Sequence, residues 1–181
     1  MMRYLIALAV LAFAIPATAQ DLPEGFATGP VFEDFGPHAP VEGIATFPLP
    51  TAFRHSFDVV QRSPERRNRG FESAARFINM HAANGVDRSR IDTAVVVHGG
   101  AVLDLLHDEA LMAREGEEGP NPSGDMVREM LDKGVRFIVC GQSAAAQGVT
   151  REDLIPGVEM ALSAMTAHAL LQQRGYTVNP F

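Results

Sequence analysis

Arg136-Phe137-Ile138-Val139-Cys140-Gly141-Gln142-Ser143 is the stretch on which the fold turns. Three consecutive apolar residues lead to a thiol, and a glycine then opens a run of small residues. A continuous apolar run without alternation describes a strand buried on both faces, the usual state of a strand in a parallel sheet. In such sheets the chemistry gathers beyond the carboxyl ends of the strands, which puts Cys140 at the tip where a site would lie. Cys140 is the only cysteine of the chain, so it has no internal disulfide partner. Two readings of it stand at this point: a small apolar residue that packs, or a working nucleophile.

Outward from this strand the chain alternates strand and helix patterns. Phe53, His55, Phe57 and Val59 alternate with Arg54, Ser56 and Asp58, as in a half-buried strand near a sheet edge. Phe71, Ala74, Ala75 and Ile78 follow helical spacing, with Gly85 as a stop. Thr93-Ala94-Val95-Val96-Val97 reads as a central strand, and Val102, Leu105 and Leu106 mark a helix after it. Asn121-Pro122 suits a helix start, Met126, Val127, Met130 and Leu131 form that helix's apolar stripe, and Gly134 ends it. Thr150-Arg151-Glu152-Asp153 has the form of a capping box for a short helix closed by Pro156. Val158, Met160 and Leu162 alternate as a strand, a helix runs to Arg174 before Gly175, and a last strand covers Tyr176 and Val178. The pattern is that of an α/β domain with a mainly parallel five-stranded sheet and helices on both faces.

The N-terminus reads as an address. Arg3 precedes an apolar core from Tyr4 to Ile15, and Ala17-Thr18-Ala19 is an A-x-A cleavage site. Residues 1–19 are therefore expected to be a signal peptide, with the mature protein periplasmic and no membrane span left after cleavage. Residues 20–50, punctuated by Pro23, Pro30, Pro37, Pro40, Pro48 and Pro50, are expected to form an extended leader lying on the domain or on a neighbouring subunit. Residues 51–181 form the α/β domain. The composition is globular, with 46% hydrophobic and 20% charged residues, and the net charge of -7 argues against nucleic acid or an anionic membrane as partner.

The loops after parallel strands bring distant residues together, and four are chemically distinctive: Arg62 to Arg69, His98-Gly99-Gly100, Cys140 to Ser143, and Ser163-Ala164-Met165. A thiol just before a helix faces backbone N–H groups and a positive helix end, both of which favour thiolate. His98 can hydrogen-bond a sulfur anion or act on a substrate, or else bond nearby backbone. Gly141-Gln142-Ser143-Ala144-Ala145 also has the shape of a nucleophile elbow, with Asp153 or Glu159 and then His168 completing a serine-hydrolase order; Ala145 stands where the last elbow glycine belongs. The arginines at 62, 66, 67 and 69 suit an anionic partner or a solvated loop, and the acidic loop from Arg114 to Gly124 suits a lid or a plain connection. There is no G-x-G-x-x-G, no Walker lysine, no serine-rich flavin-phosphate loop and no histidine pair at metal-ligand spacing, so neither a cofactor nor a metal is expected.

Several segments together carry a resemblance. Val95-Val96-Val97-His98-Gly99, Asn121-Pro122, the run from Gly134 through Cys140 to Ala144 and on to Gly148-Val149, and Pro156-Gly157-Val158 to Gly175-Tyr176 resemble the DsrE/DsrF-like family, in an exported branch. Asn79-Met80-His81 and Gly85-Val86 extend the match upstream, and Asn179-Pro180-Phe181 closes it. The resemblance implies a flavodoxin-like domain, commonly assembled as homo-trimers or hexamers. In the sulfur-relay members a cysteine at the end of this strand carries sulfur as a persulfide, and Cys140 falls on that position.

Three functions are expected in this order. The first is an exported sulfur carrier with Cys140 as the reacting atom, His98, Gly99, Gly141, Gln142 and Ser143 around it, and a sulfur donor or acceptor protein as partner. The second is a non-catalytic oligomeric binding module of the same fold. The third is a serine hydrolase using Ser143.

Overall fold

The computed structural model describes residues 22–44, 49–114, 116 and 119–179. The signal-peptide reading of residues 1–19, the closing Pro180-Phe181 and part of the acidic loop lie outside them. Five strands form one sheet in the order β4-β3-β2-β1-β5: β1 Phe53–Val59, β2 Ile91–Val97, β3 Arg136–Cys140, β4 Glu159–Ala161 and β5 Thr177–Asn179. Every neighbouring pair is parallel. The helices are α1 Arg69–Ala83, α2 Asp108–Met112, α3 Gly124–Asp132, α4 Gly141–Ala146 and α5 Ala164–Gln173.

The period of two along each strand sorts the core into two layers. Phe57, Val59, Val95, Val97, Phe137 and Val139 face one way and pack with Phe71, Ala74 and Ile78 of α1 and with Met126 and Met130 of α3. Ala94, Val96, Ile138 and Cys140 face the other way, under Ala164, Ala167 and Leu171 of α5 and Tyr176. The sheet is thus covered on both sides, and β1 is less open than its alternation implies: Ser56, on its polar side, is wholly buried. β5 lies outside β1 and removes it from the edge.

Three local expectations change in the structure. The segment after β2 winds as a 3-10 helix, Gly99–Leu105, instead of an α-helix. α3 opens at Gly124 with Ser123 before it, not at Asn121-Pro122. Asn121 is used otherwise: its Oδ1 accepts from the Ser123 N–H at 2.9 Å, and its Nδ2 donates to the carbonyls of Asp104 and Leu106. Thr150 and Asp153 close a turn, with the Thr150 N–H and hydroxyl both donating to Asp153 Oδ2, and no helix follows.

Residues 31–36 lie against α1, and a single polar side chain ties them there. Buried Asn79 accepts from the N–H groups of Val31 and Phe32 and donates to the carbonyls of Phe32, Phe35 and Gly36. Phe32 and Phe35 are stacked and buried in the main core. Two arginines of the loop after β1 are also engaged: Arg67 donates to the Asp34 carbonyl and Arg62 lies 3.8 Å from Asp104. Buried Asp104 accepts from the Ser63 N–H and from Asn68 Nδ2, while the Asn68 N–H donates to Ser123 Oγ. This network fixes the loops at the carboxyl end of the sheet, where unmet buried polar groups would cost about 1–3 kcal/mol each.

Candidate functional site

Cys140 closes β3 and is at the same time the residue before α4. It is only 5% exposed, and the Ser143 N–H donates to its Sγ at 3.5 Å. Burial pushes the thiol pKa up. Hydrogen bonds from the Ser143 hydroxyl and from the N–H groups of Ser143, Ala164 and Gln142 outweigh it, so the thiol sits below its ordinary value. The sulfur is held between two chain segments, the α4 start and the α5 start.

Backbone proximity makes this holder possible. A Cβ on Gly141 would meet the Ala161 carbonyl at 2.7 Å and the Leu162 carbonyl at 3.3 Å, so only glycine lets the β3 end pass this close to β4. Gln142 is exposed and donates from Nε2 to the Leu162 carbonyl, tying the same two segments. Ser143 faces the other neighbour: its Oγ accepts from the Gly99 N–H at 3.1 Å. Gly99 takes φ of +54°, and a Cβ there would lie 2.7 Å from Val60 Cγ2, so the turn after β2 also needs glycine. Its carbonyl accepts from Gln147 Nε2 at 2.8 Å. Gly99, Gly141, Gln142 and Ser143 are therefore assembled around Cys140 from two strand ends.

His98 continues the β2 ladder, since its N–H donates to the Val59 carbonyl and its backbone is extended. Val97 registers with Val139, so His98 stands level with Cys140 on the adjacent strand, roughly 4.8 Å away in backbone spacing. By alternation both side chains lie on the face covered by α5. His98 Nε2 is 3.1 Å from Asp58 Oδ1 and 3.3 Å from Oδ2, and His168 Nε2 of α5 is 2.8 Å from the same Oδ1. Burial raises the Asp58 pKa, but hydrogen bonds from His168 and His98 and the charge those rings can carry hold it below the usual carboxylate range. A carboxylate has no proton to give, so both rings donate to it.

Asp58 and His168 were not read from sequence as partners of His98. They come from β1 and α5, 110 residues apart. The only local signal is an acid in an otherwise well-packed strand, Phe57-Asp58-Val59.

The hydrolase constellation is not brought together. Asp153 is engaged by Thr150, Glu159 pairs with Arg136 at 2.7 Å, and His168 is bonded to Asp58. Among the described residues no group of three histidine, cysteine or acidic side chains is arranged to hold a metal ion, and no helix is long and apolar enough to cross a membrane. An open concavity of about 530 Å3 lined by Arg151, Leu154, Pro156 and Val158 contains none of the site residues.

The DsrE/DsrF-like family model matches residues 55–180, well over half of the chain. The chain belongs to the DsrE/DsrF-like family. Two solved structures are similar to it. One is MTH1491 from Methanobacterium thermoautotrophicum, titled a protein of unknown function, with 20% identity, a TM-score of 0.52, and 71% of this chain and 99% of that one covered. The other is the ychN protein from E. coli, with 19% identity, a TM-score of 0.45, and 71% and 100% covered. No curated protein matches the chain. The first likeness supports the flavodoxin-like fold of this DsrE/DsrF-like domain and nothing further about its chemistry.

Proposed function

We propose that this DsrE/DsrF-like protein carries sulfane sulfur as a persulfide on Cys140. The observation that carries the reading is Cys140 Sγ at the strand tip accepting from the Ser143 N–H at 3.5 Å, in surroundings that lower the thiol pKa despite burial. In the step proposed, the Cys140 thiolate forms an S–S bond to a terminal sulfur of a polysulfide. The S–S bond behind that sulfur breaks, and the polysulfide leaves one sulfur shorter with the electron pair. An acceptor thiolate then attacks the outer sulfur and releases Cys140 as thiolate, with no net oxidation. Gly141, Gln142 and Ser143 frame the anion, and His98 and Gly99 line its other side.

Exposed Leu162 and Met165, 72% and 81% open, flank the α5 start beside the sulfur and offer an apolar rim for a donor or acceptor protein or a second copy in a homo-oligomer. Export through residues 1–19 to the periplasm belongs to the same proposal. Exposure of the protein to polysulfide, followed by intact-mass measurement, tests it. A sulfur gain on the wild type that Cys140→Ser abolishes is expected, and no gain, or an equal gain on the variant, overturns it.

The 5% exposure of Cys140 is the observation favouring the second reading, a non-catalytic binding module of the same fold. That reading expects a slow thiol and unchanged ligand binding in Cys140→Ser.

A further inference from the structure

The side chains Asp58, His98 and His168 form a cluster that the sulfur-carrying step above does not use as a unit. Two imidazoles converge through Nε2 on one carboxylate, at 3.1 and 2.8 Å on the shared Oδ1. Each comes from a different element, β1, the end of β2, and α5, so the arrangement exists only in the folded protein. Its three residues are half-buried, with Asp58 and His98 side chains each 29% exposed and His168 17%. Both rings bond Asp58 through Nε2, and His168 Nδ1 is buried without a hydrogen bond. A buried ring nitrogen without an acceptor is better left as a lone pair than as an N–H, which agrees with the proton of His168 residing on Nε2.

We propose that Asp58 and His168 are positioning residues that hold His98 as its Nε2–H tautomer, leaving the Nδ1 lone pair to take the proton of Cys140. One residue beyond the Val97–Val139 pair, His98 stands level with Cys140 and, by alternation, on the same face, which brings an imidazole to the strand beside the thiol. The step balances simply. The S–H bond breaks, its proton goes to Nδ1, and the resulting imidazolium keeps its Nε2–H on Asp58, whose negative charge offsets the new positive one. His168 donates to the same oxygen and stops the carboxylate from turning away. Among the described residues the ionisable partners of Asp58 are His98 and His168. At the far end of the α5 face Arg136 is paired with Glu159 and Arg54 with Asp92. The polar side chains at the α4 start, Gln142 and Ser143, are neutral.

This inference deepens the reading of Cys140 as a working thiolate, and its test uses no sulfur donor, so the two fail separately. Imidazole nitrogen NMR on the full wild-type protein at neutral pH is expected to show His98 as the Nε2–H tautomer. Iodoacetamide alkylation of Cys140 across pH is expected to slow about tenfold near pH 7 in Asp58→Asn, because an amide offers one oxygen to two rings and no charge to balance an imidazolium. His168→Gln, which keeps a donor for Asp58, is expected to retain most of the wild-type profile, whereas His168→Ala loses several-fold. An Nδ1–H tautomer in the wild type, or an unchanged alkylation profile in folded Asp58→Asn, overturns the proposal. If Asp58→Asn does not fold, the wild-type tautomer and the two His168 variants decide alone. A protein that meets these expectations yet gains no sulfur from polysulfide refutes sulfur carriage and leaves the relay standing.

Discussion

At Cys140 two opposed effects meet on one atom. The apolar layer under α5 disfavours a charge, while donors from two segments favour it, and the donors prevail. That outcome depends on Gly141, whose missing Cβ allows β3 to lie against the Ala161 carbonyl. Gly141→Ala is therefore expected to force β4 and the start of α5 outward. The cost is about 1–3 kcal/mol, the range for overpacking a well-filled site, and it is read from the urea midpoint. The same substitution separates the Ala164 N–H from the sulfur and slows Cys140 toward alkylating reagents. Stability unchanged within a few tenths of a kcal/mol would mean that the approach is looser than 2.7 Å implies. Ser143 carries a related lesson. It has the sequence surroundings of a nucleophile, but its oxygen accepts from Gly99 and its hydroxyl serves Cys140.

Among the elements, α1 has two clients. Its apolar face packs the sheet, and Asn79 on its flank clasps residues 31–36. Asn79→Ala would strand the Phe35 and Gly36 carbonyls and the Val31 and Phe32 N–H groups, whereas the Phe32 carbonyl keeps the Gly29 N–H. A loss of about 2–4 kcal/mol is expected from several unmet groups at about 1–3 kcal/mol each with partial relaxation. Limited proteolysis should then cut within residues 22–44 before the α/β domain, and a cleavage pattern like the wild type would contradict the clasp. The elements that sequence revealed best are those with one dominant period. Thr93 to Val97 and Phe137 to Cys140 are buried on both faces and read as such, and the α1 stripe is equally plain. Those that shifted were set by long-range contacts. Asn121 looked like a cap but bonds the Asp104 and Leu106 carbonyls, and the Thr150 box closes on itself as a turn. Cys140, His98 and their glycines were legible as strand ends, whereas Asp58 and His168 meet only when α5 lies across the sheet.

For the molecule as a whole, the histidines give stability a pH dependence with two acid windows. His55 and His81 lie among Phe53, Phe57 and Phe77, and burial lowers both pKa values from 6.5, with mutual repulsion adding to the effect at His55. A group whose folded pKa is lowered contributes fully above its unfolded value and loses that contribution as pH falls through the folded one. The histidine contribution is therefore present above pH 6.5 and declines below it. Asp58, lowered from 3.8, adds a second loss below about that pH. Urea unfolding from pH 8 to 3 should show a first decline below 6.5 that His81→Phe reduces, and a flat profile from 7 to 5 would contradict the aromatic cage. Beyond stability, both layers and the strand order converge on one edge, where β2, β3 and α5 deliver His98, Cys140 and His168.

Acceptance and release of sulfur by Cys140 are tested together by one measurement. The protein is treated with polysulfide, desalted, weighed intact, and weighed again after addition of a low-molecular-weight thiol. A gain of one sulfur on the wild type that the thiol removes is expected, with Cys140→Ser inert throughout. A wild-type mass that never changes, or a gain that persists in Cys140→Ser, would contradict it.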